Sequence, residues 1–138
     1  MNLSKNFTLE ELVFSPTAIR NKFVEQSNPP ANVVDNLTVL CNKVLEPIRA
    51  KFGVTLVSSA YRCPRLNTKV KGSPSSHHML GMAADINFGK NNKKLYEFIR
   101  DNLKYTQLIW EYGSDENPDW VHVAFDANNL SMVETRIR

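Results

Sequence analysis

The sequence has few of the features that mark membrane, secreted or nucleic-acid-binding proteins. No apolar run approaches the roughly 20 residues that a membrane-spanning helix needs. The start, MNLSKNFTLEEL, lacks the basic, apolar and small-residue regions of a secretory signal. The net charge is only +3, and no run of Lys and Arg is interleaved with aromatic residues. We therefore expect synthesis in the cytoplasm, no membrane insertion and no nucleic-acid partner.

Cysteine and histidine are also scarce. The two cysteines, Cys41 and Cys63, match neither a zinc ribbon nor a redox pair, so both are predicted to be buried or free thiols. The three histidines are unevenly placed, since His77 and His78 are adjacent in SSHHMLGMAAD and His122 lies in DWVHVAF. The length of 138 residues, with 42% apolar and 22% charged residues, predicts one globular domain over residues 1–138.

Three stretches carry helix signals. In FTLEELV, Thr8 and Glu11 have the spacing of a capping box. A longer apolar pattern at helical spacing covers residues 33–52, and Pro47 is predicted to kink or interrupt it. A third amphipathic pattern predicts a helix around residues 95–103.

Four apolar segments are predicted as strands: VTLVSSAYR, AADINF, TQLIWEY and WVHVAF. The first is predicted to be a buried strand, with Val54, Leu56 and Val57 leading to a polar end. Residues 63–82 contain Pro, Gly, Ser and Asn at turn-forming density and are predicted to be mostly loop. The tail after Phe125 is short, polar and basic. This order of elements predicts an α+β domain with a small, mainly antiparallel sheet flanked by helices.

Two of these strands each present one possible metal ligand. The alternation of side chains along AADINF places Asp85 on the face opposite Ile86. In WVHVAF the same alternation places His122 on the face opposite Val121 and Val123. Both potential ligands are therefore predicted to point away from the aliphatic side of the sheet.

His78 could complete a ligand set with these two residues. Gly81 lies between His78 and Asp85 and permits a tight backbone turn, so the imidazole could fold back over the carboxylate. Two imidazoles, one carboxylate and an open fourth position form a typical catalytic zinc site. Taken one at a time, the same residues are also typical of ordinary surface or core positions.

Two further residues have the chemistry that hydrolysis requires. Asp119 lies three residues before His122 and could accept a proton from the attacking water, although an aspartate after Pro118 also suits a turn. Arg62 ends the first predicted strand and could hold a substrate carboxylate or a developing oxyanion. An arginine at a strand end is also common as a solvated charge.

The segments SSAYRCPRLNTKV, SSHHMLGMAADI, QLIWEYG and DWVHVAF resemble the zinc D-alanyl-D-alanine carboxypeptidase family, which includes D-Ala-D-Ala dipeptidases and phage L-alanyl-D-glutamate endopeptidases. The resemblance implies a hedgehog/DD-peptidase-like zinc fold and Zn²⁺ ligands His78, Asp85 and His122. It implies that Asp119 is the general base, with Glu111 in reserve, and that Arg62 stabilises the substrate carbonyl oxygen. Ser76 would contact substrate or orient its loop.

The same resemblance implies a zinc peptidase that hydrolyses peptidoglycan stem peptides. We expect a monomer that acts at the bacterial cell wall after release, as a phage or prophage endolysin does. A bacterial wall-recycling enzyme is the close alternative. A binding module like the hedgehog domains, or a virion structural protein, is the alternative outside the enzymes, but neither would need Asp119 and Arg62. The bond that is cut stays open at this point.

Overall fold

The first helix begins where the capping signal predicts. In the computed structural model, which describes residues 1–138, the Thr8 hydroxyl accepts a hydrogen bond from the Glu11 backbone N–H, and the Glu11 carboxylate accepts one from the Thr8 backbone N–H. None of the helices has the length and apolarity needed to cross a bilayer. In chain order the elements are α1 (Leu9–Val13), α2 (Pro16–Arg20), α3 (Ala31–Leu40), α4 (Glu46–Phe52), β1 (Val57–Ser59), α5 (Pro64–Lys69), β2 (Ala83–Ile86), α6 (Asn92–Asn102), β3 (Gln107–Glu111), β4 (Trp120–Ala124) and β5 (Val133–Ile137).

The long helical pattern is interrupted near Pro47, as predicted. A π-helical turn, Cys41–Leu45, separates α3 from α4, and the Glu46 backbone N–H donates to the Cys41 carbonyl. Because proline has no N–H and its ring clashes with the carbonyl four residues earlier, a regular α-helix cannot continue through this position. The wider turn accommodates the proline while both helical pieces keep their apolar sides on the core.

The five strands form one sheet in the order β1-β2-β4-β3-β5. All neighbours are antiparallel except β3 and β5, which are parallel, so the predicted α+β class with a mainly antiparallel sheet is confirmed. One face of the sheet packs under α6 and carries Ile86, Val121 and Val123, which are fully buried with Leu95 and Ile99 of the helix. The opposite face is therefore available for polar side chains.

The predicted burial of the first strand is wrong at its start. Val54 is 69% exposed and Leu56 is 74% exposed, and only Val57–Ser59 pair with β2. Thr55, between them, is buried and its hydroxyl donates to the Gly53 carbonyl. Since side chains alternate along extended chain, the inward position of Thr55 turns both apolar neighbours outward.

Two segments predicted as irregular contain regular structure. Within residues 63–82, Pro64 begins the short helix α5, because a proline at the first helical position has no N–H that needs a partner. In the tail, β5 adds to the edge of the sheet in parallel with β3. Its side chains are mostly exposed, and its alternation of β-branched and charged residues, VETRI, is only five residues long, which is a weak signal for a strand.

A buried glutamine fixes the chain that follows β1. Gln26 is 2% exposed, and its Nε2 donates to the carbonyl oxygens of Val13 and Tyr61, each at 2.8 Å. Its Oε1 accepts from the Cys63 backbone N–H, also at 2.8 Å. One amide therefore satisfies backbone groups on both sides of Arg62.

We expect Gln26→Leu to lower the free energy of unfolding by at least about 1–3 kcal/mol, because it leaves buried backbone groups unpaired. The matched control is Gln107→Leu, since the Gln107 side chain is half-buried and makes no hydrogen bond. Urea denaturation followed by circular dichroism measures both. Equal losses in the two variants would contradict the role of Gln26.

Candidate metal centre

The pairing of β2 with β4 brings Asp85 and His122 together. These residues are directly opposite each other in the antiparallel register, so their side chains lie on the same face of the sheet. His122 Nδ1 is 3.0 Å from Asp85 Oδ1. The neighbouring pair on this face, Ala83 and Ala124, is also in register and leaves space beside the two polar side chains.

His78 reaches the same carboxylate from a short 3₁₀ turn, His77–Leu80. The Ser76 hydroxyl accepts from the His78 backbone N–H at 3.1 Å, and Gly81 ends the turn in the left-handed region with a φ of 71°. A side chain at Gly81 would also clash with the Val33 carbonyl oxygen. The turn thus folds His78 back over β2, where its side chain is 2% exposed.

The tautomer of His78 follows from its hydrogen bond. Nδ1 lies 2.6 Å from the Ala60 carbonyl oxygen, which can only accept, so Nδ1 carries the proton of the neutral ring and Nε2 presents a lone pair. That lone pair faces Asp85 Oδ1 at 3.3 Å. Two acceptor atoms this close repel each other unless they share a proton or coordinate the same metal ion.

The three side chains fit a metal ion. One ligand atom from each of His78, Asp85 and His122 lies within 4.8 Å of the others. The Nε2 atoms of both histidines are buried without a hydrogen-bond partner, which is rare for polar atoms unless they have a further ligand. Two imidazoles and a carboxylate form a donor set that suits zinc. His77, although adjacent, is not part of this cluster.

The electrostatics of Asp85 favour its ionised form. Burial raises the pKa of its carboxyl, but the hydrogen bond with His122 and the closeness of the His78 ring lower it more, and the net pKa lies below the ordinary value. The Arg62 guanidinium lies close by, with Nη2 3.9 Å from Asp85 Oδ2. The centre therefore contains a carboxylate that stays negatively charged across the physiological range.

Arg62 lies on the wall of a cleft beside the candidate metal ligands. The cleft has a volume of about 330 Å³, and its lining includes Arg62, Asp85, Tyr61 and Ser58 together with the chain between α1 and α2. A larger, apolar cleft of about 650 Å³ lies along α1 and α2, and none of the three ligands lines it. Because the smaller cleft contains a ligand and the arginine, we take it as the candidate substrate site.

The two candidate bases differ in their surroundings. Ile109 is opposite His122 in the register and Glu111 is opposite Trp120, so Glu111 lies on the face of the sheet that carries Asp85 and His122. Its Oε2 accepts from the Trp120 indole N–H. Burial raises the pKa of Glu111, the negative charge of Asp85 raises it further, and the hydrogen bond from Trp120 opposes both.

Asp119 lies just outside β4 and is exposed. Its backbone N–H donates to the Glu111 carbonyl at 2.9 Å, whereas its carboxylate makes no hydrogen bond or ion pair. The structure thus brings Arg62, Glu111 and the three proposed ligands to one face, and leaves the Asp119 side chain in solvent.

Sequence reasoning missed the residues that hold these side chains in place. The Ala60 carbonyl, Gln26 and Asn67 all contact the chain around Arg62 or His78. Ser76, by contrast, was expected either to contact substrate or to orient its loop, and its hydroxyl caps the turn that carries His78. A buried amide gives no signal in one sequence, since most asparagines and glutamines are exposed.

Comparison with known proteins supports the resemblance at the level of the family. The family model described as Peptidase M15 matches residues 5–124, which include every candidate site residue. A search of curated proteins returned no match. Since the match covers most of the sequence and contains His78, Asp85 and His122, the chain belongs to the peptidase M15 family of zinc-dependent metallopeptidases.

Proposed function

We propose that this protein is a zinc-dependent peptidase that hydrolyses the stem peptides of bacterial peptidoglycan. The observation that carries this proposal is the convergence of His78, Asp85 and His122 beside a cleft that also contains Arg62. Membership of the peptidase M15 family supports the hydrolytic chemistry. The substrate rests on the resemblance to peptidases of the cell wall.

His78, Asp85 and His122 would hold the zinc ion. Zinc bound there would supply Lewis-acid polarisation of the scissile carbonyl and a water of lowered pKa. The Ala60 carbonyl fixes the His78 ring in the tautomer that presents Nε2, as a hydrogen bond to the second nitrogen of a metal-binding histidine usually does.

Arg62 would stabilise the negative charge that develops on the carbonyl oxygen. Its side chain is only 15% exposed, and burial keeps its pKa below the ordinary value while the charges of Asp85 and Glu111 raise it. A guanidinium held in a partly buried cleft interacts with an oxyanion more strongly than one in water does.

We propose Glu111 as the general base, with Asp119 as the alternative. The Glu111 carboxylate lies on the ligand-bearing face and is oriented by Trp120, whereas the Asp119 carboxylate is exposed and has no partner. The base would take a proton from the attacking water and return it to the leaving amine.

The bond cut is either the terminal D-Ala–D-Ala bond, as in a carboxypeptidase, or an internal bond such as L-Ala–D-Glu. We propose that the protein acts as a monomer at the cell wall, as a phage or prophage endolysin does. The mild positive charge of +3 would favour the polyanionic wall, although this is a weak attraction.

Removal of one histidine ligand should abolish tight zinc binding. We expect His122→Ala to weaken zinc affinity by more than the roughly 10–100-fold that is typical for an outer-shell partner. The matched control is His77→Ala, which removes an imidazole that lies outside the cluster. Zinc content after equilibration in a zinc buffer, measured by mass spectrometry, distinguishes the two. Equal zinc retention in both variants would contradict the ligand set.

The two candidate bases can be separated by a pair of isosteric changes. We expect Glu111→Gln to lower kcat about 10²–10⁴-fold at unchanged zinc content, because general-base catalysis contributes this much. Asp119→Asn should leave kcat within a few-fold of the wild type. The reverse result would assign the base to Asp119, and full activity in both variants would rule out both carboxylates.

The reaction itself can be tested with purified peptidoglycan. We expect the zinc-loaded protein to release new fragments and the zinc-depleted His122→Ala variant to release none. Mass spectrometry of the products identifies the bond, since free D-alanine indicates a carboxypeptidase and a new N-terminal D-glutamate indicates an endopeptidase. Stoichiometric zinc without any cleavage of sacculi or soluble stem peptides would refute the hydrolase and favour a binding module.

A further inference from the structure

The guanidinium of Arg62 is held by a buried asparagine that the proposed chemistry does not otherwise use. Asn67 lies on α5 and is 3% exposed. Its Oδ1 accepts from Arg62 Nη1 at 3.0 Å, and its Nδ2 donates to the Ser73 carbonyl oxygen at 2.9 Å. The guanidinium can only donate and the Ser73 carbonyl can only accept, and the Asn67 amide in this orientation satisfies both.

Gly72 leaves the space that this contact needs. A Cβ at Gly72 would overlap Asn67 Oδ1 and would lie 2.5 Å from Arg62 Nη1. The Gly72 backbone N–H donates to the Asn67 carbonyl at 2.8 Å, and the preceding Lys71 adopts a left-handed φ of 61°. Glycine, which has no side chain, therefore occupies the position in the turn after α5 where the side chains of Arg62 and Asn67 meet.

The remaining contacts of Arg62 restrain it from other directions. Its backbone N–H donates to the His78 carbonyl at 3.0 Å, and Gln26 binds the backbone of the residues on either side of it. Its Nη2 faces Asp85 across 3.9 Å. Asn67 is thus the only side chain that makes a hydrogen bond within 3.5 Å to the guanidinium, and it is uncharged.

Because Asn67 is neutral, its hydrogen bond does not offset the positive charge of Arg62. A carboxylate at position 67 would form an ion pair with the guanidinium and offset the charge available to an oxyanion. An amide fixes the orientation without supplying an opposite charge. An arginine that is already ordered also loses less conformational entropy when it binds substrate.

From these contacts we infer that Asn67 is a positioning residue: it holds Arg62 in the orientation that receives the substrate oxygen, and Gly72 makes the contact possible. This inference rests on the proposed function, in which Arg62 stabilises the oxyanion. It assigns to Asn67 no contact with substrate or metal.

The test compares Asn67→Ala and Gly72→Ala with the matched control Asn42→Ala. Asn42 also donates its amide to backbone carbonyls, but it lies outside the cleft. For zinc-loaded protein acting on soluble stem peptides, we expect kcat to fall about 10–100-fold in the first two variants with KM changed only a few-fold, because a small misplacement of a catalytic group has effects of this size. The control should retain the wild-type kcat, and zinc content should be unchanged in all three.

A double-mutant cycle separates positioning from a general structural role. If Asn67 acts through Arg62, Asn67→Ala should cause little further loss of kcat in an Arg62→Ala background. An undiminished loss in that background would overturn the inference, and so would wild-type kcat in Asn67→Ala.

A measurement without substrate keeps this inference distinct from the proposed function. The NMR order parameter of the Arg62 Nε–Hε bond should be close to that of a rigid group, about 0.85, and should fall below about 0.6 in Asn67→Ala. An ordered side chain in both proteins would overturn the inference even if the enzyme is active. An inactive wild type with the expected loss of order would refute the hydrolase while Asn67 still positions Arg62.

Discussion

The antiparallel pairing of β2 with β4 sets Asp85 directly opposite His122, and the rest of the site is arranged around this pair. In a sheet, a shift of one residue moves a side chain to the other face, so this register decides whether the Asp85 and His122 side chains meet. The register is fixed from the core side, where Ile86, Val121 and Val123 are fully buried under α6. Packing on the core face of the sheet thus fixes which polar side chains meet on the opposite face.

The segment after β1 links the metal ligands to the arginine. The Ala60 carbonyl orients the His78 ring, the Arg62 backbone N–H binds the His78 carbonyl, and Gln26 binds the residues on both sides of Arg62. A displacement of this segment would move His78, a candidate ligand, and Arg62, the proposed oxyanion-stabilising group, together. The buried amides of Gln26 and Asn67 are tolerated in this region because each has hydrogen-bond partners at both its oxygen and its nitrogen.

The positions of Asp85 and His122 could be predicted from the sequence, whereas strand β5 and the contacts of Asn67 could not. Alternation along AADINF and WVHVAF was sufficient to place Asp85 and His122 on one face, because both strands are central and their apolar sides are unambiguous. The edge strand β5 has only a five-residue alternation, VETRI, and most of its side chains are exposed, so its pattern is too short and too weakly apolar to predict a strand. The contacts of Asn67 depend on chain segments that meet only in the folded protein, so spacing along the sequence could not reveal them.

The choice between Glu111 and Asp119 as the proposed base depends on sheet register as well as on spacing along the chain. Asp119 is close to His122 along the chain, but Glu111 is the carboxylate that lies on the same face of the sheet. Burial and the charge of Asp85 raise the pKa of Glu111, which by themselves disfavour the ionised form that a base requires. A divalent cation held by His78, Asp85 and His122 would lower the pKa of Glu111, because two neutral imidazoles and one carboxylate would leave the ion with a net positive charge. The same ligand set that would bind zinc would therefore also favour the ionised form of the neighbouring glutamate.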